Sequence, residues 1–159
     1  MKVCTQCSLR KPLTEFYHTY SRCKTCRKEY ILRQKTAKIG QRTAARIRMA
    51  FFREGITKHP YPRDLIHCTY EHLANHLGDI GDKEIDHIIP LSRYNLHDPI
   101  DLQHAFHWQN TQLLTREENN SKGNKLPSHD TLQSLKHLWP NSWWHPDCDQ
   151  YFTGSSIAY

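Results

Sequence analysis

Residues 84–126 read EIDHIIPLSRYNLHDPIDLQHAFHWQNTQLLTREENNSKGNKL, and the fold turns on how this stretch is laid out. Residues 84–91 are rich in Ile and predict a strand that ends at Pro90, because proline cannot donate to a ladder. The thirteen residues SRYNLHDPIDLQH read as a loop, and residues 105–114 would return as a second strand carrying Asn110. TREENNSKG then marks both ends of a short helix, with Thr115 at the N-cap, Glu118 as its capping-box partner and Gly123 just past the end. The expected order is strand, loop, strand, helix, with Asn119 on the helix facing back across the strands.

Outside this stretch the cysteines say most. With 159 residues, 37% hydrophobic composition and a mean hydropathy of −0.81, the chain suits one ordinary domain or a pair of small modules with a modest core. Four of its six cysteines fall in CTQC and CKTC, separated by fifteen residues. That spacing matches a four-thiolate zinc site, in which each pair supplies two corners of a tetrahedron. Cys4, Cys7, Cys23 and Cys26 are the expected ligands, and the zinc is structural because four thiolates leave no open position. The alternative is two disulfides or four reduced thiols; His18 is a substitute ligand that four thiolates make unnecessary. Cys68 reads as a small buried hydrophobe and Cys148 has no visible partner. The start MKVCTQCSLRK lacks the apolar centre of a secretory signal, and no run is apolar enough to span a bilayer. A reducing cytoplasm and no membrane association are therefore expected.

Charge divides the chain in two. Residues 1–59 carry fifteen Lys or Arg against three acids, a net of +12, while residues 60–159 carry seven against thirteen, a net of −6. A polycationic front points to a polyanionic partner. Residues 27–52 contain no Pro and one Gly, predicting two basic helices that meet near Gly40. In the second, Ala44, Ile47 and Phe51 form a packing face, leaving Arg42, Arg46, Arg48 and Arg53 to reach phosphates. HPYPR at 59–63 is a hinge, and residues 64–77 a short helical pattern ending at Gly78. In the tail from 127, Leu132, Leu135 and Leu138 precede Trp139, Trp143 and Trp144; such a cluster is more often core or dimer contact than a base-stacking platform.

The central residues match the needs of phosphodiester hydrolysis: an activated water, charge stabilisation and help for the leaving oxygen. A neutral His near its ordinary pKa takes a proton from water at physiological pH, which assigns His87 as base. A divalent ion held by a carboxylate and an amide oxygen suits Asp86 and Asn119. Asn110 fixes the His-bearing loop or the imidazole rather than touching metal, and Lys122, one turn after Asn119, holds a phosphate. Asp86 and His87 are adjacent, so a regular strand would point them to opposite faces unless it bends. An Asp-His pair alone is a weak signal; two Asn at these spacings and a capped helix make it specific. Most of the other histidines read as solvated or satisfied in the core, with a supporting role reserved for His107.

The stretch resembles the HNH nucleases of the ββα-metal, or His-Me finger, fold. The resemblance rests on Asp86 and His87 in DHIIP, Asn110 in NTQLL, Asn119 in NNSKGNK, and the nine-residue step between the two Asn. Phe106, His107 and Asn110 in an FHxxN pattern are similar to phage and mobile-element members, in which a basic two-CxxC finger also recurs. About two thirds of the chain is covered. Asn120 beside Asn119, and the lack of cysteines within the motif, depart from common family patterns. The resemblance implies an α+β protein of phage or mobile-element type that nicks or cleaves duplex DNA with Mg²⁺ or another divalent ion, homing-like in role and, if phage-encoded, at work in a bacterial host cytoplasm. The expected layout is a zinc finger at 1–30, a basic helical DNA-binding linker at 31–60, the nuclease core at 61–128 and a helical, aromatic tail at 129–159. A monomer holds one core, so a double-strand cut would need a homodimer or two nicks. The rival readings are a zinc-dependent nucleic-acid-binding regulator with an inert core and an RNA-directed nuclease.

Overall fold

The computed structural model describes residues 1–144. At the front, β1 (Lys2–Val3) pairs antiparallel with β2 (Arg10–Lys11), and the turn between them carries the first cysteine pair. The turn is closed by backbone bonds from Ser8 to Cys4 and from Cys4 to Leu9, with Ser8 in the left-handed region at φ 58°. Phe16 bridges Cys23 and is buried with the cysteines in a cluster of its own, separate from the main core. One ring and four thiols bury too little apolar surface to hold a module together, so this end needs a cross-link.

A single helix, α1 (Lys24–Arg53), follows. The expected break at Gly40 does not occur. A helical glycine costs only about 1 kcal/mol relative to Ala, and here it makes room: a Cβ at Gly40 would lie 3.0 Å from the Tyr70 ring. The half of α1 beyond residue 38 is anchored by buried Ile39, Ile47, Ala50 and Phe51, whereas residues 28–34 are all exposed.

The helical pattern expected over 64–77 is two helices, α2 (Pro62–Leu65) and α3 (Tyr70–Leu77). Between them His67 takes φ 54°, and the Thr69 side chain caps α3 by accepting from the His72 amide. Strand β3 (Glu84–His87) is shorter than the 84–91 expected. The segment anticipated as a structureless loop instead contains α4 (Pro99–Phe106), started by Asp98, whose carboxylate accepts from the Ile100 and Asp101 amides, and by Pro99 in the first turn. The return strand correspondingly begins late, as β4 (Thr111–Leu114), after a 3-10 turn at Trp108–Asn110. β4 runs antiparallel to β3, pairing Asp86 with Gln112 and His87 with Thr111. Then come α5 (Arg116–Lys122), with the full capping box of Thr115 and Glu118, and α6 (His129–Ser134). The result is a small α+β protein, mostly helical, with two two-stranded sheets among the described residues.

The main core gathers the anchored half of α1, α2, α3, the inner face of the β3–β4 pair, α4 and the start of the tail. Trp139 and Trp143 are buried in it, so packing is the role of these two rings; Trp144 is half exposed. Trp139 Nε1 donates to Leu132 O, and the Tyr94 hydroxyl donates to Leu138 O. Cys68 packs against this core as a partly buried thiol, as expected. The remainder of the tail, with Cys148, lies outside the described residues.

His107 sits at the seam of α4 and the following turn, its ring 5.3 Å from that of His67 and 6.3 Å from that of His137. Burial, helped by the neighbouring His67, His137 and His104, pushes its pKa down to about 4. The unfolded chain, with an ordinary imidazole near 6.5, therefore binds more protons than the folded one between pH 6.5 and about 4. Stability from this group is present above pH 6.5 and is lost as pH falls through that window. His107→Asn, which keeps an acceptor for the Gln109 amide, is expected to flatten the decline of the urea midpoint between pH 6.5 and 4.5; an unchanged slope would show that this ring's burial does not govern acid stability.

Candidate functional site

Two sites emerge, one at each end of α1. At the first, Cys4, Cys7, Cys23 and Cys26 bring their sulfurs within 4.8 Å of one another. Cys23 is the N-cap of α1 and Cys26 lies in its first turn, so the helix start fixes one pair while the β1–β2 turn fixes the other. The Cys4 sulfur accepts from the Cys23 and Gln6 amides, and Lys11 Nζ lies 3.5 Å from the Cys23 sulfur. Backbone donors, that of Cys23 foremost, pull the Cys4 thiol down to about 6, while the hydrogen bond with Cys23 and burial push Cys26 up to about 12. Thiols drawn in opposite directions cannot all ionise together without a cation between them. The group could hold a structural Zn²⁺, whose charge makes four thiolates compatible. Among the described residues it is the one place where three or more His, Cys, Asp or Glu ligand atoms converge in this way.

At the other site, a cleft of about 610 Å³ opens between α1, β3, the turn after it and α5. Arg46, Asp86, His87, Asn119 and Lys122 all line it. Asp86 and His87, though adjacent on β3, both reach this cleft. Asp86 is buried and makes three contacts: Arg46 at 2.7 Å on one oxygen, and Lys122 at 3.0 Å and the Gln112 amide at 3.3 Å on the other. Burial alone would raise its pKa, but Lys122, Arg46 and the His87 amide outweigh that and hold the carboxyl below its ordinary value.

His87 is 4% exposed, its ring edge-on to Phe106 at 5.6 Å. Arg46 Nε lies 3.4 Å from His87 Nδ1. A guanidinium can only donate, so Nδ1 carries the lone pair and faces the cleft. Burial, reinforced by the Arg46 charge, pushes the imidazole down to about 3, well under the ordinary value expected for it. The ring is thus neutral throughout the physiological range.

Asn110 is wholly buried and does not line the cleft. Its Oδ1 accepts from the Ile89 amide at 2.8 Å, and its Nδ2 donates to Ile89 O and Ala105 O. Its own carbonyl accepts from the Ile88 amide. One side chain therefore clamps the end of α4 to the residues just after His87. Asn119, presented by α5, donates through Nδ2 to Glu84 at 2.7 Å.

The structure thus gathers His87, Asp86, Asn119 and Lys122 in one cleft and puts Asn110 behind it. Arg46 and Arg53 line the same cleft and Arg42 an adjoining groove, whereas Arg48 lies on another face of α1, with Tyr70 and Glu71. Five contacts were missed from the sequence: Arg46 on Asp86 and on His87, Lys122 and Gln112 on Asp86, and Glu84 on Asn119. A strand register would have found Gln112, which sits directly opposite Asp86. The Arg46 contact spans 40 residues and has no local signature. Compared with protein-family models, curated proteins and solved structures, the chain matches none.

Asn110→Ala would strand the buried Ile89 amide and remove two donors, an expected loss of about 3 kcal/mol measured by urea unfolding. A loss below about 1 kcal/mol would mean that the clamp is dispensable. Elemental analysis of protein purified without added metal should give one zinc per chain, and Cys23→Ser should release it while leaving the core's unfolding transition in place.

Proposed function

We propose that the chain is a metal-dependent endonuclease of the HNH type, with β3, β4 and α5 as its ββα-metal core and duplex DNA as its substrate. The observation that carries this is the convergence of His87, Asp86, Asn119 and Lys122 on one cleft beside the basic face of α1. His87 is the general base: its Nδ1 is unprotonated at neutral pH and takes the proton from the attacking water once Arg46 turns to the phosphate. Lys122 and Arg46 hold phosphate oxygens and offset the charge that builds on them. Asn110 acts as a positioning residue, fixing the backbone just beyond His87.

The donor set suits a hard cation in kind, since Asp86 offers a carboxylate and Asn119 an amide oxygen. Both Asp86 oxygens already carry a contact from a cationic side chain, Arg46 on one and Lys122 on the other, and an incoming ion must take their place. A divalent ion such as Mg²⁺, when bound there, supplies Lewis-acid stabilisation of the phosphate. That same neutralised carboxylate favours a second reading, a nucleic-acid-binding regulator whose cleft is inert.

Supercoiled plasmid with Mg²⁺ separates the two. The wild-type protein is expected to convert closed circles to nicked or linear forms, and His87→Ala to do so at least about 100-fold more slowly. If pure wild-type protein leaves the plasmid closed, and does no better than His87→Ala, the enzyme reading is lost. Preference for structured RNA over duplex DNA in competition would redirect the substrate assignment.

A further inference from the structure

We infer that α1 is a ruler: it holds the four-cysteine module and the cleft one turn of duplex DNA apart along a single cationic face, so that the module's grip sets which phosphate meets the cleft. The position of the cut rests on the nuclease reading, whereas the spacing of module and cleft along α1 is independent of catalysis.

The helix carries ten Lys or Arg against one acid. Lys24, Lys28, Lys35, Lys38, Arg42 and Arg46 are spaced by three, four or seven residues. At about 100° per residue these steps keep them all within a sector of about 80°, and Arg53 falls in it too. A random scatter of ten cations would place about two there, so the face is patterned rather than merely solvated. Its lower half runs alongside the approach to the cleft: Lys38 donates to Gly81 O, Arg42 to Lys83 O and Arg46 to Asp86. Its upper end, Lys24, follows Cys23 directly.

From Lys24 to Arg46 is 22 residues, or about 33 Å of helix, against about 34–36 Å for one turn of B-form DNA. The two ends therefore address the same side of a duplex. No proline interrupts the span, and its one glycine is held against Tyr70. Between the cations the helix itself shows Ile31 and Met49, and its exposed aromatics, Tyr30 and Phe52, project elsewhere; one ring from outside the helix, Tyr17, lies under Lys24 at the module end. A single strand would call for successive stacking platforms along the row, whereas a row of cations whose one ring is already covered by Lys24 suits the backbone of a duplex.

The test inserts helix-forming residues between Arg33 and Gln34, where both neighbours are exposed. AQAAQAA lengthens α1 by about 10.5 Å, or three base pairs, and turns the module by only about 20°; AQAAQ turns it by about 140°. On a duplex selected for tight binding, hydroxyl-radical footprinting of wild-type protein should show two protected patches one turn apart. The seven-residue insertion should widen their separation, and shift the cut relative to the module's patch, by about three base pairs, while the five-residue insertion should weaken binding about tenfold or more. Unchanged patch spacing and cut position in the seven-residue variant overturn the ruler while leaving the nuclease intact. If wild-type protein binds but never cuts, the nuclease reading falls and the patch spacing alone decides; a single patch, or none, overturns the inference. Lys28→Gln with Lys35→Gln leaves the helix length untouched and should lower the salt-dependence slope by about two; an unchanged slope likewise overturns it.

Discussion

Asp86 is a carboxylate buried where four elements meet. Arg46 reaches it from α1, Lys122 from α5 and Gln112 from β4, while β3 carries it. Burying a lone charge would be costly, and two cations at 2.7 and 3.0 Å are what make the arrangement tolerable. The same pair of contacts sets the floor of the cleft, docks the basic helix against the β3–β4 pair, and keeps a positive field beside His87 that resists its protonation. Remove the carboxylate and the two cations would confront each other with nothing between them.

Around this charge cluster the chain is held by two different means. The residues from 39 onward bury a continuous apolar core in which aromatic rings from the tail take part. The first 23 residues have no such core and depend on their cysteines. α1 belongs to both, with Cys23 at its cap and Phe51 near its other end fully buried, so the core fixes the direction in which the exposed half of the helix leaves it, and the cysteine cluster sits at the far end of that half.

Features written in short-range grammar were legible in the sequence. The two CxxC pairs, the Thr115–Glu118 capping box and Gly123 each require only a few neighbouring residues, and each took the form expected of it. Others depended on distant partners. Gly40 looked like a break because nothing nearby reveals that Tyr70 needs the space. The loop reading of residues 92–104 passes over a local signal, Asp98 followed by Pro99, which starts α4. His87 was given an ordinary pKa because its burial comes from the packing of the whole core, and Arg46 on Asp86 joins residues 40 apart. The architecture of the site was readable from pattern, while its electrostatics required the fold.

All four tryptophans, from Trp108 onward, lie beyond the cleft-bearing strand β3, and none lies in the first 53 residues. Trp139 and Trp143 are sealed in the core, whereas the aromatics of the module end are Phe16, buried with the cysteines, and the partly exposed Tyr17, Tyr20 and Tyr30. Indole emission therefore reports on the core and is blind to the four-cysteine end. Tyrosines occur in both halves, Tyr70 and Tyr94 among them in or against the core, so it is indole excitation alone that singles out one half, and loosening of the core can be watched by fluorescence without a label.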